Sequence, residues 1–166
     1  MTIPSGVHRT FPGLAADGSL RSSPVTDRYN CIAFAAGKRD VNWWPIPSPV
    51  NGWEWPLGYG QPETLASFQA AFGTLGYIPC ADGSLEPGFE KIVFYEIAGR
   101  IKHAARQTSQ NHWLSKLGPN IDITHFSEVA VESEEYGTVA GFMKRPLQAA
   151  PEDTRHSPES ASVVDR

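Results

Sequence analysis

Cys31 opens the short apolar run "CIAFAAG", directly after Asn30 in "TDRYNCIAFAAGKRDVNWWP". A helix N-terminus carries unpaired N–H groups and a partial positive charge, so a cysteine there ionises more easily than a free thiol. The thiolate is a nucleophile for covalent acyl transfer, and the cysteine's own N–H can hold an oxyanion. Such a thiol needs a base within hydrogen-bond reach. His103, in "KHAARQ", is the candidate. On a strand, His103 and Ala105 share one face, so a strand packed beside the helix N-terminus brings imidazole to thiol. The next predicted strand, "HWLSKLG", offers Ser115 or Lys116 to orient the ring; Asp122 and His125 in "NIDITH" are the alternatives. The competing reading makes Cys31 a buried core thiol, a common state of free cysteine.

Other residues could complete such a site. The Asn30 side chain is a second oxyanion donor. Trp43 and Trp44 begin an aromatic loop that either packs on the core or walls a substrate cleft. Cys80 follows a helix in a loop and has nothing to lower its pKa, so it reads as structural or surface-exposed. Cys31 and the histidines match no metal-ligand spacing such as C-x-x-C or H-x-x-x-H, so no metal site is expected. Glu86, Glu90 and Lys91 read as a solvated turn, and Lys116 as a solvated hairpin-end lysine.

The elements that must position these groups follow from pattern. "NCIAFAAGK" is a short helix, capped by Asn30 or Asp27 and stopped by Gly37. "NWWPIPSPVNGWEWPLGYG" holds four tryptophans, four prolines and three glycines, a composition that excludes a regular helix or a central strand. "QPETLASFQAAFGTLGY" is a helix with Pro62 and Glu63 in its first turn, an apolar face of Leu65, Phe68, Phe72 and Leu75, and a stop at Gly76. Strands follow: "EKIVFYEIAG", then "IKHAARQ" and "HWLSKLG" about a "TSQN" turn, and finally "YGTVAGFMKR". "FSEVAVESEEYG" holds a short helix capped by Ser127. The order predicts an α+β fold, N-terminal helices packed on a small antiparallel sheet. Residues 1–23 read as an extended N-terminal arm, 24–146 as the folded domain, and 147–166 as a disordered tail.

"YNCIAFAAG", a helix, a strand with "KHAARQ" and then "HWLSKLG" resemble the papain-like fold, above all its compact bacterial NlpC-type branch. The string "GFEKIVFYEIAGRIKHAARQTSQNHWLSKLGPNIDITH" is similar to small bacterial proteins of this type. The resemblance spans roughly residues 24–146. It implies a cysteine peptidase or amidase in which Cys31 is the nucleophile and His103 the base. The family's third member is Asn, His, Asp or Glu on the third strand. Here that strand offers Ser115, with Asp122 the stronger electrostatic alternative. Ile32 stands where the family carries glycine or tryptophan after the cysteine.

Composition limits the alternatives. The chain has 166 residues, 40% hydrophobic and 19% charged, which is the balance of one globular domain. A net charge of −4 without a Lys/Arg cluster argues against nucleic-acid binding. No apolar run approaches a membrane span, and the first residues lack the pattern of a signal peptide. Two cysteines in that setting suggest free thiols in the cytoplasm. No phosphate loop or dinucleotide fingerprint is present, so no cofactor is expected. The leading expectation is a thiol hydrolase or acyl-transferase acting on a peptide, amide or acyl substrate. The others are an inactive papain-like module binding a protein through the Trp/Pro loop, and a toxin- or effector-type cysteine protease.

Overall fold

The computed structural model describes residues 3–21, 26–117 and 121–148. The chain begins with two short helices, α1 (Ser5–Thr10) and α2 (Gly13–Asp17), and a short strand β1 (Leu20–Arg21). Helix α3 (Cys31–Ala35) follows, then β2 (Asn42–Trp43) and β3 (Trp53–Glu54), helix α4 (Leu65–Gly73) and β4 (Ile78–Cys80). The second half is β5 (Phe89–Ile97), β6 (Arg100–Gln107), β7 (Trp113–Lys116), β8 (Asp122–His125), a 3₁₀ turn (Glu128–Val131) and β9 (Thr138–Pro146).

Seven strands form one sheet in the order β1-β8-β7-β6-β5-β9-β4, and every neighbouring pair is antiparallel. β5 and β6 form a hairpin through Ala98 and Gly99, both at positive φ (50° and 78°), as a tight two-residue turn requires. The sheet is covered on both faces. On one, α3 and α4 bring Ile32, Phe34, Phe68 and Phe72 onto Ile92, Phe94 and Ala104. On the other, Ile3, Phe11, Leu14 and Val131 cover Val93, Tyr95, Ala105, Trp113 and Ile123. Each large side chain buried this way contributes about 1.5–3 kcal/mol. The protein is an α+β domain built on an antiparallel sheet.

Several expectations need correction. Residues 5–10 and 13–17 are helical rather than extended, because Phe11 and Leu14 bury against the sheet. Helix α4 starts at Leu65, not Pro62: Thr64 caps it, accepting from the Ser67 amide, while the Glu63 carboxylate accepts from Trp44 Nε1. Residues 44–61 are irregular as expected, apart from β3, which pairs with β2 in parallel. The expected domain start at 24 and most of the expected tail, residues 149–166, lie outside the described residues. Leu147 does not belong to a tail, since its amide donates to the Gly88 carbonyl.

Candidate functional site

Helix α3 is fixed at its start by one side chain. Asn30 Oδ1 accepts from the amides of Ala33 and Trp43, and its Nδ2 donates to the Trp43 carbonyl. Asn30 is therefore a cap and a tether for the tryptophan segment, and the structure does not present it as a free oxyanion donor. Cys31 is the first residue of α3, as the sequence predicts. Its thiol is buried and donates to the Lys102 carbonyl at 3.9 Å. Burial pushes the thiol up to about 11; the amides of Ala104, Ile32 and Cys31 and the charge of Lys116 oppose that only in part.

His103 lies on the other face of the sheet. Its ring stacks flat on Tyr136, with centroids 4.1 Å apart and planes 2° from parallel, and touches Tyr95. Tyr95 and Tyr136 belong to the cluster under α1 and α2, whereas Cys31 belongs to the cluster under α3 and α4. No hydrogen bond joins Cys31 to His103 among the described residues. The cause is local. Tyr95 pairs with His103, but the next residue, Glu96, pairs with Ile101, leaving Lys102 as an extra residue in a bulge. Ile101 faces the helices; past the bulge Ala104 does so too, which turns His103 and Ala105 to the opposite side.

On that side His103 has the partner expected for a third member. His103 Nε2 and Ser115 Oγ are 2.9 Å apart. Ser115 Oγ is in turn 2.7 Å from His125 Nε2, and His125 Nδ1 is 2.8 Å from the Ser127 carbonyl. All three side chains are fully buried. The proton order follows from valence. A carbonyl only accepts, so His125 Nδ1 carries the proton and its Nε2 is a lone pair. The Ser115 hydroxyl donates to that lone pair, so its oxygen accepts from His103 Nε2–H. His103 Nδ1 is then a bare lone pair, buried and without a partner among the described residues. Burial holds the His103 pKa well below its ordinary value, with the nearby His125 adding to the effect. Burial also brings His125 to about 4, against the pull of the Ser127 carbonyl.

Asp122 does not orient His103. It lies opposite Lys116 in the β7–β8 ladder and accepts from the Tyr29 hydroxyl at 2.7 Å. Lys116 is fully buried rather than solvated, donates to the Thr26 carbonyl and lies over the Tyr29 ring. Burial lowers its pKa, while Asp122 and Cys31 pull it back up. Trp43 is a core residue, edge-on to Trp55 and Phe72, and Trp44 packs on Phe68. Trp43 also lines a surface pocket with Trp53, Trp55 and Tyr59. Lys91 is buried too, bonded to the carbonyl and carboxylate of Asp82. Tyr136 was not expected at the site; nothing in the "EEYG" turn marks it out.

These features define a class: a three-layer α+β domain with an N-capped cysteine on one sheet face and a buried His–Ser–His relay on the other. The chain belongs to the DUF7689 family, a domain of unknown function, whose model matches residues 20–144. No curated protein and no solved structure matches it. Among the described residues no three His, Cys, Asp or Glu side chains gather to hold a metal ion, and no helix is long and apolar enough to cross a membrane.

Proposed function

We propose that the domain is a papain-like, NlpC-type thiol hydrolase or acyl-transferase, with Cys31 as nucleophile and His103 as base. The observation that carries this reading is the bare Nδ1 of His103. The ring is oriented through Nε2 by a polar residue of the neighbouring strand, which leaves the other nitrogen free to take a thiol proton. In the reaction, Nδ1 removes the Cys31 proton and sulfur attacks an amide or thioester carbonyl. The Cys31 N–H holds the oxyanion. The imidazolium returns its proton to the leaving amine or thiol, and water or an acceptor amine releases the acyl group. The structure described is a resting arrangement, with the thiol on the Lys102 carbonyl and the imidazole on Tyr136. Catalysis requires the ring to leave that stack and the pairing of His103 with Tyr95 to slip by one residue, because the imidazole faces away from Cys31. Two free thiols suit a reducing cytoplasm.

A second reading is a binding module that keeps this fold without the chemistry. The buried thiol, raised to about 11, favours it. Its contact surface would be the tryptophan loop, where Val50, Trp53, Leu57 and Tyr59 are exposed. Iodoacetamide labelling against pH separates the two, with Cys80 as internal control. Cys31 labelling below about pH 8 that is lost in His103→Ala supports the enzyme. An inert Cys31, or one indifferent to His103, sinks it and leaves the binding module.

A further inference from the structure

We propose that residues 3–19 form a displaceable strap that covers the His103 face and holds the ring in its resting stack. The strap lies outside the segment matched by the family, residues 20–144, which carries Cys31, His103, Ser115 and His125. Its contacts converge on the relay. Phe11 packs on Tyr136 with centroids 4.8 Å apart, and Tyr136 is the ring stacked on His103. Asp17 grips the far end of the relay. Its Oδ2 accepts from the Phe126 amide at 2.7 Å, and its Oδ1 accepts from the amide and hydroxyl of Ser127, both at 2.9 Å. Ser127 is the residue whose carbonyl fixes the proton on His125.

The strap is built to come away. Its helices have six and five residues, and neither has a side-chain N-cap. Helices that short do not persist alone in water, so they form only while docked. α1 buries none of its own residues, which leaves Ile3, Phe11 and Leu14 as the apolar anchors. With the strap lifted, Tyr136 loses the ring behind it and His103 can leave the stack. That consequence for catalysis rests on the thiol–imidazole reading above; the cover itself does not.

The test uses the intact chain. In wild type, hydrogen exchange of the amides of residues 3–19 is expected about 100-fold faster than that of β5 and β6, as for a segment that opens by itself. Asp17→Ala removes the grip. Gly13→Val forces a side chain where a Cβ would stand 2.9 Å from the Ala130 carbonyl oxygen. In either variant, diethylpyrocarbonate should modify His103, located by peptide mass, about tenfold faster while β5 and β6 keep their protection. Strap amides that open only together with the sheet, or a His103 as unreactive in both variants as in wild type, overturn the proposal. Cys31 alkylation in the same samples reports separately on the catalytic reading.

Discussion

Replacing Ser115 by alanine removes one oxygen from the centre of the relay. That oxygen bonds His103 Nε2 at 2.9 Å and His125 Nε2 at 2.7 Å, and all three side chains are fully buried. With tetrahedral geometry at the oxygen, the two nitrogens stand roughly 4.5 Å apart, too far to bond each other directly. The void is one hydroxyl in size and too small for a well-bonded water, and the volume lost adds little cavity cost. The variant thus leaves a buried N–H donor and a buried acceptor lone pair, each costing about 1–3 kcal/mol. We expect a loss of about 3 kcal/mol with an unchanged m-value in urea unfolding. Two-dimensional ¹⁵N NMR of wild type should show His103 protonated at Nε2 and His125 at Nδ1, an order lost in the variant. A cost below about 1 kcal/mol, or a wild-type His103 protonated at Nδ1, would refute the proton order derived from the Ser127 carbonyl.

Two further perturbations probe neighbouring features. Asn30→Ala removes a helix cap and both bonds to the Trp43 backbone, so urea unfolding should show a loss of about 2–3 kcal/mol, more than the roughly 1 kcal/mol of a cap alone. A loss limited to the cap value would mean that the tether to Trp43 contributes nothing. The pH dependence has a definite sign. The folded pKa values of His103 and His125 lie below those of the unfolded chain, so the unfolded state takes up protons first. Their contribution is fully present above about pH 6.5 and is lost as pH falls from there toward about 4. The urea midpoint should fall across that window, with a slope shallower by about one proton in His125→Gln. A midpoint flat from about pH 6.5 to 5 would show that the two rings are not kept neutral.

Much of this arrangement was legible because it rests on local chemistry. Asn30 before an apolar run of small residues marked a helix start, and that start put Cys31 at its first position. Apolar runs and turn residues marked β5, β6, β7 and β9, and simple hairpin pairing offered Ser115 or Lys116 beside His103, of which Ser115 makes the bond. What could not be read was the face. Counting by twos from Ile101 puts His103 beside Ile101, toward the helices. The extra residue at Lys102 breaks that count, and a bulge of this kind depends on the partner strand. Asp122 and Lys116 were misjudged for a related reason: their burial comes from Tyr29 and Thr26, about ninety residues away. The strap reads as extended in the sequence because α1 and α2 form only where the sheet offers Phe11 and Leu14 a surface.

The bulge at Lys102 also sets how this chain can change by mutation. Substitutions alter side chains but leave each residue on its side of the sheet. Deleting Lys102 only restores plain alternation: Ile101 stays toward the helices and His103 stays opposite Tyr95 on the far face, while Ala98 and Gly99 still close the hairpin. The imidazole comes to the thiol's side only where the pairing of His103 itself slips by one residue, so family members should be compared first for the register of this ladder.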